Sequence, residues 1–418
     1  MTSPTAPRAA ARTGYLRVLA VPEFRVLFLA EVLAILGQVA AQITLSLTVY
    51  SRTGSPLLAA LAFAVGFLPH LLGATLLSAW SDRVPARRLM VLTQAVTALL
   101  VACMAVPGTP VPVMLLLMFA TGAVAPLYQG TKAAAVADVL PPEGFALGRS
   151  LLRMAAQLAQ ICGFAFGGVL FAALSPALAL LAGAGLLLAS CLLLRLGLPA
   201  RPARRPPPAA GRPGRALPPA GGASSPVAES LRGARGVLRS PRLRVLLALT
   251  WFPPVLGVSA EALAAPLADG LGGGPALVAL LLSATPAGMI AGTFLAGSLL
   301  TDAQRVRAVV PLGLLTFVPL LGLGLYPGPA VLLGLLVLSG AGYGYALGVD
   351  RLLVEAVPAG ERGQVMTLVT AGLMIFQGVG FALAGALAEF LSPNTVVVLA
   401  ALAGIAVVLA AGRRAGRP

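Results

Sequence analysis

Apolar runs of about 20 residues, the length a helix needs to cross the hydrocarbon core of a bilayer, recur along this chain from Phe24 to Ala411. Twelve can be drawn, over residues 24–50, 56–80, 89–106, 111–131, 150–174, 176–196, 243–268, 275–300, 307–326, 329–349, 363–390 and 394–412. Short polar or Pro/Gly-containing turns separate them. Backbone polar groups surrounded by lipid must be satisfied within their own segment, which makes each run a helix. The fold expected is therefore an all-α polytopic membrane protein with twelve transmembrane helices. Composition agrees, with 10% charged residues against roughly 25% in soluble domains and a mean hydropathy of +0.95.

An even number of spans puts both chain ends on one side, and the basic residues say which. With the termini cytoplasmic, every Lys and Arg except Arg52 falls on the cytoplasmic side, Lys132, Arg149 and Arg153 being assigned to the connection between spans 4 and 5. So uniform a bias follows the positive-inside rule. Residues 1–23 read as a basic cytoplasmic tail leading into a first span too long for a cleaved signal core. Residues 24–196 and 241–412 form two six-helix bundles, and 413–418 a short cytoplasmic tail. The Pro/Arg-rich segment 197–240 (RPARRPPPAAGRPGRALPPAGG at its centre) is expected to be a disordered cytoplasmic linker, since Pro removes donors and apolar content is sparse.

The two bundles repeat one another. A shift of 217 residues superposes Tyr128 on Tyr345, Asp138 on Glu355, Pro141 on Pro358, Gln160 on Gln377, Gly163 on Gly380, Phe164 on Phe381, Ala165 on Ala382 and Gly168 on Gly385. Two halves of the same topology are the arrangement of transporters whose site lies between them.

Several chemistries are excluded. The net charge of +16 could suit a nucleic-acid partner, but the basic residues lie between spans and no aromatic residues interleave with their densest cluster to stack bases. Cys103, Cys162 and Cys191 fall in apolar runs without CxxC spacing, so no metal site or cofactor is expected. His70 is the single histidine, which removes HExxH zinc chemistry.

Span 2 is followed by Ser78-Ala79-Trp80-Ser81-Asp82-Arg83-Val84-Pro85-Ala86-Arg87-Arg88, and span 8 by the weaker echo Ser298 to Arg307 containing Asp302 and Arg305. The first stretch resembles the loop 2–3 signature of the major facilitator superfamily, Gly-x-Leu-Ala-Asp-Arg-x-Gly-Arg-Arg, with Ser78, Trp80 and Pro85 replacing its first Gly, its Leu and its second Gly. Thr53-Gly54-Ser55-Pro56, Asp82-Arg83-Val84-Pro85 and Gly163-Phe164-Ala165-Phe166-Gly167-Gly168 are similar to the bacterial branch of macrolide-efflux and enterobactin-exporter proteins. Phe164 stands where the antiporter signature Gly-Pro-x-x-Gly-Gly has Pro. The resemblance implies a pseudo-symmetric twelve-helix transporter with an inner gate latched by charge. Asp82 would face Arg362, Arg83 would face Asp138, Asp302 would pair with Arg149 and Arg305 with Glu355, with Arg87 and Arg88 completing the motif. Ordinary interfacial charge is the alternative reading of the same residues.

Inside the spans, Glu31 is the sharpest signal, because a carboxylate there costs about 2.5–3.5 kcal/mol on insertion scales. Glu31, Gln38 and Gln42 share one helical stripe. Two readings stay open: a cavity wall on which Glu31 takes up protons, or an acid near the inner interface paired with Arg25 or Arg153. Glu261, on a span with Trp251, Pro253 and Pro254 that suggest a bend, is a second coupling candidate, and His70 a third; Glu389 reads as interfacial. Tyr128, Gln129, Gln157 and Gln160 in the first half are candidates for the substrate cavity. Trp251, Tyr343, Tyr345 and Gln377 are their counterparts in the second. Each could instead be interhelical glue.

The expected function is proton-coupled export of a hydrophobic or amphipathic small molecule by alternating access, since a sparsely charged cavity suits such a solute. Import within the same superfamily is the first alternative, and a non-transporting membrane receptor or enzyme the second. The partners expected are a small molecule, protons and the lipid bilayer, with the chain acting as a monomer. Abundant Ala, Gly, Pro and Arg with a single Lys point to a bacterial cytoplasmic membrane.

Overall fold

A computed structural model describes residues 15–67, 69, 84–199, 240–357 and 362–415. Asp82, Arg83, His70, most of the 197–240 linker and the first part of the N-terminal tail lie outside these residues. The described residues are helical throughout, apart from turns. After a short helix, Tyr15–Ala20, come α1 (Pro22–Thr53), α2 (Pro56–Phe67), α3 (Ala86–Met104), α4 (Val111–Val139), α5 (Pro142–Ala173) and α6 (Pro176–Gly197). The second half holds α7 (Pro241–Ala262, extended by Ala264–Gly270), α8 (Pro275–Leu299), α9 (Val309–Leu325), α10 (Pro329–Ala356), α11 (Arg362–Leu387) and α12 (Pro393–Ala415). Among the described residues, nine helices are long and apolar enough to cross a membrane. The apolar helices Pro56–Phe67, Val309–Leu325 and Gly372–Leu387 are shorter and account for the other three of the twelve.

Proline explains where many of these helices begin. Eight of the twelve start with it, at the position where a missing N–H leaves nothing unsatisfied. Ser175 and Ser240 cap α6 and α7 by accepting from the N–H groups of Leu178 and Leu243. Interior prolines, Pro126 in α4, Pro253 and Pro254 in α7 and Pro286 in α8, interrupt the hydrogen-bond ladder within lipid-crossing segments. There the surrounding helices keep the backbone out of lipid. Three boundaries differ clearly from expectation, one being the end of α10, which runs to Ala356 and not to residue 349. α4 continues to Val139 and α5 begins at Pro142, so Lys132 and Arg149, expected in a connection, both sit on helices.

The repeat is visible in the packing. In the first half α1 lies against α5 and α6, and in the second α7 lies against α11 and α12. The superposed glycines occupy equivalent contacts. A Cβ on Gly163 of α5 would fall 2.9 Å from Val39 of α1, and one on Gly380 of α11 would fall 2.5 Å from the Val255 carbonyl of α7. Across the halves, Gly168 of α5 meets Ala279 of α8, and Gly385 of α11 meets Ala60 of α2. Small residues at these crossings let the two bundles close on each other, as helices in lipid require.

Those cross-half contacts join one end of the molecule. α1 begins and α12 finishes at the terminal end; the opposite, distal end is sealed. Phe381 stacks on Phe63 and Phe67, with ring centroids 5.2 and 5.7 Å apart, inside one apolar cluster that draws on both halves. Tyr50 donates to Asp269 at 3.5 Å, Ser55 to Glu389 at 2.5 Å, and the Leu57 N–H to the same carboxylate at 3.1 Å. These three hydrogen bonds tie the halves together beyond the aromatic stack.

Candidate functional site

Toward the terminal end the first half walls a cavity of about 700 Å³. Glu31 stands at its inner margin, about 13 Å along α1 from the start of that helix at 1.5 Å per residue. The carboxylate is buried, at 3% exposure, and forms an ion pair with Lys132 of α4, itself only 12% exposed. The Lys132 ammonium also donates to Gln129 Oε1 at 2.6 Å and lies 5.6 Å from the centre of the Tyr128 ring. Glu31 therefore lines a cavity and is also ion-paired, its partner being Lys132 where Arg25 or Arg153 was expected.

The pair is supported from behind. Ser190 of α6 donates to the Ala30 carbonyl at 2.7 Å and accepts from Gln94 of α3 at 3.1 Å, which fixes the α1 backbone beside Glu31. Tyr128 is buried within electrostatic reach of the same carboxylate. A recess of about 20 Å³, lined among others by Gln38, Gln94, Thr121 and Tyr128, also adjoins Glu31 and shares Ile35 and Gln129 with the main cavity. Glu31 Oε2, the Tyr128 hydroxyl and Thr131 Oγ1 make no well-aligned hydrogen bond among the described residues, although the Tyr128 hydroxyl lies near both Glu31 and Ser190. A buried carboxylate with one oxygen ion-paired and the other unmatched is costly unless it exchanges charge or partners.

The cavity's outer wall is α5. Arg149 and Arg153 stand one turn apart and both line the cavity. Gln157 follows one further turn along the same face. Arg149 lies 5.8 Å from the Phe145 ring, and Arg153 is close enough to Asp350 of α10 for their charges to interact. A sparsely charged cavity was expected, but the wall carries Glu31, Lys132, Arg149 and Arg153. The reason is that α4 and α5 continue as helices past the points where their apolar runs end.

The expected gate residues are partly assembled. Arg87 caps α6 by donating to the Arg195 carbonyl at 2.5 Å, while Arg88 and Asp138 are exposed at the terminal end. Glu355 accepts from Arg351, one turn earlier on α10, at 2.9 Å, in place of the Arg305 expected. Arg305 instead donates to the Ala296 and Gly297 carbonyls at the end of α8. Asp302 opens a short helix, Asp302–Arg307, whose capping box is made by Thr301 and Gln304, and Arg362 opens α11; their side chains lie outside the described residues.

In the second half the candidates mostly pack. Trp251 Nε1 donates to the Val369 carbonyl at 3.0 Å, and its ring lies 5.3 Å from Phe376. The Tyr345 hydroxyl donates to the Leu249 carbonyl at 3.1 Å. Tyr343 places its hydroxyl against Gly257 and within electrostatic reach of Glu261. Gln42 packs against Gly66 of α2, whereas Gln160 and Gln377 are half-buried on α5 and α11. Sequence reasoning missed Lys132. Its signal was available, since it is the only lysine in a chain that otherwise uses Arg, and it follows Tyr128 by one helical turn.

Twelve helices in two repeated halves, closed at one end over an interior cavity with a buried ion pair, define a multi-pass membrane transporter. The sequence matches the family described as Major Facilitator Superfamily over residues 27–263 and 255–417, and the chain belongs to that family. Among solved structures it is similar to a mutant of the nucleoside transporter NupG, with a TM-score of 0.73 at 13% identity, over 94% of this chain and 100% of that one. A bacterial homologue of the iron transporter ferroportin in the inward-facing state gives 0.67 at 17% identity, over 96% and 100%. The peptide transporter POT in complex with sulfate gives 0.67 at 17%, over 97% and 99%. Similarity at this identity speaks to the fold. No curated protein matches the sequence significantly.

Proposed function

We propose that this protein is a proton-coupled secondary transporter that exports an amphipathic small molecule across a bacterial cytoplasmic membrane, with both termini and the open cavity on the cytoplasmic side. The observation that carries this reading is the Glu31–Lys132 pair, buried on the wall of a cavity in the first half. Glu31 is the proton-binding group. A proton on it cancels the ion pair and releases Lys132, so the cavity's charge depends on the proton load. Rocking of the halves about α2, α5, α8 and α11 would then expose the site to each side in turn. Export is assigned on the likeness of the 53–56, 82–85 and 163–168 segments to the efflux branch.

One consequence of this scheme favours the opposite direction. The proton that neutralises Glu31 also frees Lys132, so a solute group seated on Lys132 is bound together with the proton and not in exchange for it. Transport by purified protein in liposomes, under pH gradients of either sign, separates the two readings. Glu31→Gln is expected to abolish the response to the gradient while leaving solute counterflow intact. An undiminished gradient response in that variant would remove Glu31 from the coupling step.

A further inference from the structure

We infer that the transported solute is an amphipathic organic anion, whose acidic group lodges between Arg149 and Arg153 and whose apolar body lies along Ile35 and Val136. The inference rests on the transporter reading but not on its direction. An anion leaving the cell moves down an inside-negative potential, worth about 2.3 kcal/mol per charge per 100 mV. An anion entering is bound alongside the proton that frees Lys132.

The cavity's volume, about 700 Å³, lies within the roughly 300–1,000 Å³ of small-molecule sites. Its wall carries three cations and one carboxylate, and that carboxylate is already matched to Lys132. The surplus positive charge therefore belongs to the two arginines. They stand at i and i+4 on α5, so both guanidinium groups leave the helix on one face. Among the described residues neither takes part in a hydrogen bond or close ion pair. The acid whose charge reaches Arg153 is Asp350, across the opening on α10.

Planar guanidinium forks suit a carboxylate, sulfonate or phosphate, which they bind through paired, charge-assisted hydrogen bonds. A cationic solute would meet this surplus with no free carboxylate among the described lining residues to offset it, since Glu31 is held by Lys132. A sugar-like solute would meet Ile35, Val136 and Leu152, which offer it no hydrogen bonds. A solute with one acidic end and an apolar body matches both features.

Bilayer anions share the head-group chemistry, so the test separates the two sources. The protein is placed in nanodiscs of zwitterionic lipid and titrated with dansylglycine, dansylamide and dansylcadaverine, one fluorophore bearing a negative, neutral or positive end. Dansylglycine is expected to bind about tenfold or more tightly than either of the others, one charge-assisted contact being about 1.5–3 kcal/mol. Arg153→Gln should weaken it about tenfold, Arg149→Gln/Arg153→Gln further, and Arg153→Lys less, with dansylamide unchanged throughout.

Equal binding of the three probes, no binding of dansylglycine, or full dansylglycine affinity in the double variant overturns the proposal. If nanodiscs rich in anionic lipid suppress dansylglycine binding as strongly as the double variant does, the arginines serve lipid head groups and the assignment to a solute fails. Counterflow in liposomes keeps the readings apart. Transport without probe selectivity rejects the anion alone, whereas selective binding without any transport rejects the transporter reading.

Discussion

The first six helices and the last six are built on one repeat, yet the buried ion pair belongs to the first. Around α1, α3, α4 and α6, side chains bond to one another or to a charge: Gln94 to Ser190, Lys132 to Gln129 and to Glu31. Within α7, α9, α10 and α11 the buried polar side chains Trp251, Tyr345 and Ser339 bond to the backbone carbonyls of Val369, Leu249 and Thr316, and the charged pair described there, Arg351 with Glu355, is exposed within one turn of α10. Bonds of the second kind hold helices at a fixed distance. Those of the first kind can change when a proton or ligand arrives. The repeat keeps the frame at its glycines, and we propose that the residues between them set one half to respond and the other to support it.

The strongest test of that division is to remove one charge of the pair. Lys132→Ala leaves the Glu31 carboxylate buried without its partner, which costs about 3–5 kcal/mol. Purified Lys132→Ala should lose most of its thermal stability near neutral pH, whereas Glu31→Gln/Lys132→Gln, with neither charge, should unfold close to the wild type. Equal losses in the single and double variants would mean that the site's packing matters and its charge does not.

A smaller effect is expected where the halves meet. Glu389 of the second half accepts from Ser55 and from the Leu57 N–H at the start of α2, a place where negative charge also favours the helix N-terminus. Because the contact is exposed, its worth falls toward about 1 kcal/mol, which is a several-fold shift in population. Glu389→Ala should therefore raise the fraction of molecules open at the distal end, read as a longer component in the distance between spin labels at Ser51→Cys and Gly270→Cys in a background without native cysteines. An unchanged distribution would assign closure of this end to the Phe63, Phe67 and Phe381 stack alone.

Helix number and the two-half repeat could be read from the sequence because they depend on hydrophobic length and on residues such as Gly163 and Gly380, whose spacing records a crossing. The site was less legible. Glu31 stood out because a carboxylate in an apolar run is expensive wherever it points. Lys132 and Arg149 did not, because the apolar stretch of α4 ends near residue 131 and charge beyond it looks like a loop. Only the structure shows that the helix continues and turns the lysine inward. The second-half aromatics show the opposite ambiguity. Trp251 and Tyr345 have the polar tips that a binding site uses, and nothing in the sequence distinguishes those tips from ones spent on a neighbouring backbone.

Trp251 allows the finest test of the comparison. Its indole N–H donates to the Val369 carbonyl, its ring covers Gly372, and Phe376 lies against its other side. Trp251→Phe keeps an aromatic ring between α7 and α11 but leaves that carbonyl without its donor, a loss of about 0.5–1.5 kcal/mol. If the second half is support, the variant should unfold slightly earlier while its transport keeps the wild-type KM and the wild-type response to a pH gradient. If Trp251 faces the solute, one of the two readings the sequence leaves open, KM should rise with little change in unfolding, because the ring that contacts the solute is smaller and the helix pair is otherwise intact. The two outcomes fall on different measurements, so a single substitution shows whether the second half touches what is carried or only holds its place.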